Sequence, residues 1–456
     1  MNTSFFNELL SSIAVQGRQL LDRRRDKAPS GRAVGDVCEA LLSGRGEASG
    51  VALAGDVLTS YRALDPDERT QFFLELLKRF GADRHEIQQL CARIAADPDD
   101  DELIRQLHRA SEPRRQELIR RLNLAPGGTS ALVAMRAALI DKLREMPELA
   151  EVDNDFEHLF SSWFNRGFLV MRRIDWSTPA VILEKIIRYE AVHEIRDWND
   201  LRRRIDLADR RLYAFFHPAL IDDPLIFVEV ALTREIPGAI PPILAEERAA
   251  ISPEEATTAV FYSISNCQKG LRGISFGNFL IKQVVEELRR ELPGLKTFVT
   301  LSPVPGFRAW LDRDLASEES VARSHLGSQV EDLLEASAEN SWQEDAEVAL
   351  AEPMRALCAH YLVREKRKDT DRPLDSVARF HLGNGARLER VNWLGDPSPN
   401  GLRQSHGMMV NYLYDLGHIE KNHEAFAAKG TVATSSAVAR LLKSIPEVKK
   451  TAVPAE

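Results

Sequence analysis

Residues 258–301, "TAVFYSISNCQKGLRGISFGNFLIKQVVEELRRELPGLKTFVTL", constrain the fold more than any other part of the chain. The stretch opens on an apolar, β-branched run of strand length, 258–265. It closes on another, 297–301. Between them the pattern predicts an amphipathic helix over 276–292. Phe276, Leu280, Val284, Leu288 and Leu292 share one face, Phe279 and Ile281 widen it, and Pro293-Gly294 ends it. Two strands joined by a helix that packs back on them form a βαβ unit, so an α/β layer is required. "PLIFVEVALT" (224–233) is near-continuously apolar and reads as a further buried strand.

Gly270, Gly273 and Gly277 crowd the turn before this helix. A helix N-terminus offers unpaired N–H groups and the positive end of a dipole, and glycines let a phosphate approach the backbone. Lys269 and Arg272 add positive charge. The same glycines would equally serve a plain tight turn. No Gly-Lys-Ser/Thr follows, so this is not a P-loop, and Gly273-x-x-x-Gly277 is not the dinucleotide spacing. Arg272-Gly273-Ile274-Ser275-Phe276-Gly277 approximates the Arg/Gln-x-x-Gly-x-Gly/Ala turn of the acetyltransferase superfamily, which holds the diphosphate of coenzyme A.

At 456 residues the chain exceeds one typical core, which predicts two domains. The first, 1–160, reads as an irregular helical bundle. "DPDERTQFFLELLKRFG" (65–81) opens on the cap pair Asp65-Pro66 and carries Phe72, Phe73, Leu76, Leu77 and Phe80 as a stripe. Further helices are expected over 100–110, 114–124, 125–149 (with Thr129 or Ser130 as cap) and 155–176. No site chemistry is visible among them, which leaves a scaffolding or oligomerisation role. The second domain, 161–445, continues with a helix over 177–193 and then the strands. An acidic helical stretch at 328–366 reads as a surface cover. Residues 380–393 read as a hairpin turning on Gly383-Asn384-Gly385. Residues 446–456 read as a disordered tail.

A net charge of -9 argues mildly against a nucleic-acid binder, whose affinity would rest on a basic face, while leaving room for a local basic pocket. No apolar run is long enough for a membrane span, and the N-terminus lacks the pattern of a secretory signal. The four cysteines, Cys38, Cys91, Cys267 and Cys358, have no CxxC spacing, so neither a disulfide framework nor a zinc site is indicated. The expectation is a cytoplasmic protein without a metal.

Ser302 ends the last strand run and opens "SPVPGF". The carboxyl end of a parallel strand is where open α/β sheets hold ligands, although a serine there also serves as a turn cap. His381 lies in "FHLGNGARLERVNW"; it is one of 11 histidines, and a structural histidine hydrogen-bonded in a strand is more common than a catalytic one. Together, "FFHPALIDDPLIFVEVALT", "CQKGLRGISFGNFLIKQVVEELRRELPGLKTFVTLSPVPGF" and "FHLGNGARLERVNWLGDPSPNGLRQSHGMMVNYLYDL" resemble the malonyl-CoA decarboxylase family, in the same order across residues 155–416.

That resemblance implies a helical N-terminal domain followed by an acetyltransferase-like (GNAT-type) mixed α/β catalytic domain. It implies conversion of malonyl-CoA to acetyl-CoA and carbon dioxide with no cofactor, coenzyme A being part of the substrate. It further implies a homo-oligomer, dimer or tetramer. The family's catalytic serine matches Ser302 in Leu-Ser-Pro, its histidine matches His381 in Phe-His-Leu, and a tyrosine matches Tyr414. Its coenzyme A loop matches Arg272, Gly273, Ile274, Ser275, Phe276, Gly277 and Asn278, and Asn384 is a further support for His381 or the thioester. Some relatives carry a glutamate where Ser275 stands, so a carboxylate role does not transfer to that position. A coenzyme A-dependent acyltransferase or thioesterase would share the same fold and turn. A non-catalytic acyl-CoA sensor is the other class.

Overall fold

The computed structural model describes residues 11–16, 18, 34–43, 46–274, 280–331, 333–334, 344–368 and 370–445. Helices precede a mixed α/β part, as the sequence predicts. The chain divides into two compact units, each assembled from more than one stretch. One comprises 1–172, 215–226 and 266–277; the other comprises 173–214, 227–265 and 278–456.

In the first unit, Pro66–Arg79 is a helix because Asp65 caps it. The Asp65 carboxylate accepts from the N–H groups of Asp67 and Glu68, and Glu68 returns a bond to the Asp65 N–H. Phe72, Phe73, Leu76 and Phe80 are all buried, each worth about 1.5–3 kcal/mol relative to exposure. Two expectations need correction. The helix expected over 125–149 spans Gly128–Lys142 and starts from Gly127 at φ +69°. Thr129 does not cap it; its hydroxyl donates to Asn123 Oδ1 at 2.7 Å. The helix expected over 155–176 spans Ala150–Trp163. Asn165 ends it by donating to the Ser162 carbonyl and accepting from the Gly167 N–H. The chain then enters a strand, β1 (Val170–Arg173).

The remaining strands are β2 (Arg210–Phe216), β3 (Pro224–Thr233), β4 (Thr258–Asn266), β5 (Thr297–Thr300), β6 (Ser302–Pro303), β7 (Arg387–Asn392) and β8 (Met409–Leu413). They form one sheet in the order β1-β2-β3-β4-β5-β8-β6, with β7 also paired to β8. β4 and β5 run parallel, from Thr258 opposite Thr297 to Phe261 opposite Thr300. The crossover helix Leu280–Glu291 buries Leu280, Ile281, Val284 and Leu288 of the predicted stripe together with Val285, while Leu292 lies just past the helix and is half-buried. Phe276 and Phe279 lie outside the described residues. β8 runs antiparallel to both β5 and β6, with Val299 opposite Leu413 and Ser302 opposite Val410.

Three further readings change in the second unit. The helix expected over 177–193 spans Ala180–Tyr189, because Asp175 ties up Ser177 and Thr178 in a preceding turn. The stretch expected as a surface cover supplies the helix Glu344–Val363, whose Leu350, Met354, Leu357 and Leu362 are all in the core. Residues 380–393 are not a hairpin. Ser376–Gly383 is a helix, capped by the Asp375 carboxylate on the Ala378 N–H. It closes with bonds from Gly385 N–H to Leu382 and from Ala386 N–H to His381. Gly385 sits at φ +81°, and a Cβ there would lie 2.3 Å from the Ile419 carbonyl oxygen. The Gly-Asn-Gly run is therefore a helix stop, and β7 takes β8 as its partner.

A buried polar cluster also lies in this unit. Glu229 is fully buried and pairs with Arg204 at 2.8 Å. Glu190 accepts from Ser263, Ser265 and the N–H groups of Val192 and His193. Burial, with the Glu229 charge nearby, pushes the Glu190 carboxyl up to about 7.

Candidate active site

Thr300 ends β5 and Ser302 opens β6, so the two side chains, two residues apart, project from one face. The Ser302 hydroxyl donates to Thr300 Oγ1 at 2.8 Å. Thr300 Oγ1 also accepts from the Tyr412 N–H on β8, at 3.1 Å. Both residues are buried. The loop that follows is glycine-dependent. A Cβ on Gly306 would stand 2.3 Å from the Tyr361 hydroxyl.

His381 occupies the last turn of its helix and is 3% exposed. Its Nε2 lies 3.2 Å from Ser302 Oγ, and its Nδ1 lies 2.8 Å from the Tyr414 hydroxyl. The ring stacks on Tyr412, with centroids 4.7 Å apart and planes at 22°. Burial pushes the imidazole down to about 3, so it is neutral at physiological pH. Burial pushes the Tyr414 phenol well above its usual range, so it keeps its proton.

The proton positions follow from these partners. A neutral imidazole has one N–H and one bare nitrogen. Ser302 gives its single proton to Thr300, so the Ser302–His381 bond must be donated by Nε2–H. Nδ1 then accepts from Tyr414. The hydrogen bonds run in one direction, from Tyr414 through His381 and Ser302 to Thr300.

Ser302, His381 and Tyr414 thus converge in space. Asn384 stands apart: it caps the helix, and its amide donates to the Phe380 carbonyl at 2.6 Å. Of the predicted coenzyme A turn, Arg272 and Gly273 are exposed and Ile274 is buried. Ser275, Phe276, Gly277 and Asn278 lie outside the described residues. Gly273 takes φ +87°, which glycine adopts without strain. Gly270 is glycine for a contact reason: a Cβ would meet the Val133 carbonyl oxygen at 1.9 Å.

Two residues of these sites escape a reading of the sequence by motif. Thr300 is legible only through strand alternation, two places before the serine. Arg136 interrupts the apolar run "ALVAMRAALI" of a helix, a lone charge that the burial pattern makes conspicuous. It is 2% exposed and donates to the Gly270 and Arg272 carbonyls at 3.1 and 2.9 Å. Asp153 balances its charge through bonds of 2.8 and 3.2 Å. Among the described residues no three His, Cys, Asp or Glu side chains are grouped to hold a metal, and no helix is long and apolar enough to cross a membrane.

Two family models match the chain. One, described as the malonyl-CoA decarboxylase N-terminal domain, covers residues 80–164; the other, described as the C-terminal domain, covers 167–452. "Malonyl-CoA decarboxylase, mitochondrial" of Anser anser anser is 36% identical over 409 residues, covering 83% of this chain and 81% of that protein. The Rattus norvegicus protein of the same name is 36% identical over 360 residues, covering 74% and 72%. The solved malonyl-CoA decarboxylase of Rhodopseudomonas palustris aligns with a TM-score of 0.86 at 56% identity, over 91% of this chain and 100% of that one. That of Agrobacterium vitis aligns at 0.82 and 54% identity, over 90% and 99%.

Proposed function

The chain belongs to the malonyl-CoA decarboxylase family, a family of carboxy-lyases, and we propose that it converts malonyl-CoA to acetyl-CoA and carbon dioxide. The proposed reaction draws on no metal or organic cofactor; coenzyme A enters and leaves as part of substrate and product. The observation that carries the reading is the buried hydrogen-bond chain from Tyr414 through His381 to Ser302.

Loss of carbon dioxide leaves an enolate, whose negative charge on the thioester oxygen needs a donor and whose α-carbon needs a proton. The malonyl carboxylate brings a negative charge to a histidine that is neutral in the free protein. An opposite charge favours the imidazolium, so His381 takes up a proton as substrate binds. When the carbon–carbon bond breaks, its electrons pass into the enolate; the Ser302 hydroxyl gives its proton to the α-carbon as it takes the Nε2 proton, leaving the new proton on Nδ1. His381 ends neutral, as it began. Ser302 accepts from Nε2–H and holds the ring, while the Tyr414 hydroxyl serves Nδ1 as donor in the neutral state and acceptor in the charged one.

The turn 272–278 is assigned to the coenzyme A diphosphate. The exposure of Arg272 and Gly273 and the main-chain anchoring by Arg136 support this. Binding energy taken up there would position the malonyl group rather than perform chemistry. A homo-oligomer and a cytoplasmic location belong to the same proposal. Light scattering and cell fractionation check them, the latter against animal relatives whose names read mitochondrial.

The test is carbon dioxide release from carboxyl-labelled malonyl-CoA with no acceptor present. Labelled carbon dioxide and acetyl-CoA in equal amounts are expected, with His381→Asn reducing turnover about 100-fold or more and leaving coenzyme A affinity unchanged. Release of malonate and free coenzyme A would make the chain a thioesterase instead.

A further inference from the structure

We propose that Thr300 is a positioning residue that keeps the site a decarboxylase rather than a hydrolase. The inference rests on the reaction assigned above and deepens it. A serine and a histidine 3.2 Å apart in a buried site are also the core of an acyl-transfer dyad. In such a dyad the histidine nitrogen facing the serine is bare. It removes the serine proton, Oγ attacks the thioester carbon, and the coenzyme A thiol leaves with the proton that the histidine carried. Water then cleaves the serine ester, releasing malonate. Which chemistry follows depends on which nitrogen of His381 carries the proton.

Thr300 decides that. Its Oγ1 stands 2.8 Å from Ser302 Oγ, closer than the histidine, and takes the serine proton. The Tyr412 main-chain N–H donates to the same oxygen at 3.1 Å and fixes its place beside the serine. With its proton committed to Thr300, Ser302 can only accept from His381. Nε2 is thereby protonated and Nδ1 is left to Tyr414. His381 is a donor towards the serine and no base for it. Remove the Thr300 oxygen, and among the described residues the partner left for the serine proton is Nε2. The tautomer then reverses, with Nδ1–H donating to the Tyr414 oxygen.

Thr300→Val keeps the branched shape and removes the oxygen; Thr300→Ser restores an oxygen. The full-length protein, labelled with nitrogen-15 histidine, reports the His381 tautomer by the chemical shifts of its ring nitrogens, assigned by their loss in His381→Gln. Wild type and T300S are expected to show Nε2–H, and T300V to show Nδ1–H. With malonyl-CoA, T300V is expected to lose about tenfold or more in carbon dioxide release and to accumulate an acyl adduct on Ser302, seen by mass spectrometry; T300S recovers. If T300V does not fold, T300A carries the same expectations. An unchanged tautomer in the variant lacking the oxygen, or equal losses in T300S and T300V, would overturn the proposal. The tautomer is read without turnover. A wild type that releases no carbon dioxide would therefore defeat the assigned reaction and leave the role of Thr300 to the spectrum.

Discussion

Arg136 donates to the main-chain carbonyl of Arg272 at 2.9 Å, and through the same nitrogen to that of Gly270 at 3.1 Å. A charged side chain in the core of a helical unit thus holds the shape of a glycine-rich turn. Arg136→Lys keeps the charge but loses the rigid fork that serves the carbonyls and Asp153 together. KM for malonyl-CoA should rise about tenfold, the worth of one charge-assisted hydrogen bond, with kcat almost unchanged. Steady-state kinetics measures both; a fall confined to kcat would contradict the positional role.

Tyr414→Phe removes the donor to His381 Nδ1 and leaves that nitrogen buried without a partner. The unmet bond should lower stability by about 1–3 kcal/mol. Turnover should fall about tenfold or more, because the imidazolium formed during the reaction loses its acceptor, and KM should hardly move. A denaturant melt and a kcat–KM pair check the two effects separately.

Gly306→Ala should destabilise the loop after Ser302, since the new methyl group would sit 2.3 Å from the Tyr361 hydroxyl. The ring carbon bearing that hydroxyl is 3.5 Å away, an ordinary contact. Tyr361→Phe should therefore rescue Gly306→Ala, and thermal melts of the single and double variants test the coupling. A double variant no better than the single one would locate the strain elsewhere.

Two sets of buried residues should pull stability in opposite directions across overlapping pH windows below about 7. Burial holds His381 and His406 down to about 3 and His193 to about 4, against an ordinary value of 6.5. Below pH 6.5 the unfolded chain takes up protons that the folded one refuses, so stability is lost as pH falls towards 3. Glu190 works the other way. Folded, it keeps its proton up to about pH 7; unfolded, it releases it near 4.5. Its contribution is complete below pH 4.5 and is lost as pH rises through 7. Glu190→Gln should make stability rise more steeply with pH between about 4.5 and 7 and leave the slope below pH 4.5 unchanged, as melts from pH 3 to 9 would reveal.

Much of the fold could be read locally. The stripe of Leu280, Val284 and Leu288, the apolar run 224–233 and the cap at Asp65 each report a face or an end through neighbours a few residues away. Errors arose where local signals compete. "RFHLGNG" has the glycines of a hairpin, yet Asp375 upstream caps a helix and Gly385 stops it. "SWFNRGF" continues an apolar pattern, yet Asn165 satisfies the helix end and stops it.

By itself the sequence determined the βαβ crossover, the succession of helices before it and the family to which its motifs belong. These depend on periodicity and residue order, which a single strand of text carries. Only the tertiary structure decided which nitrogen of His381 faces Ser302, 79 residues away, and that Thr300 holds the serine proton. It also decided that Arg136 anchors a turn 136 positions further along the chain. Periodicity tells a side chain which face to bury and nothing about which atom it will meet there. Hydrogen-bond direction, tautomer and buried charge pairing depend on those atoms, and they exist as neighbours only once the chain has folded.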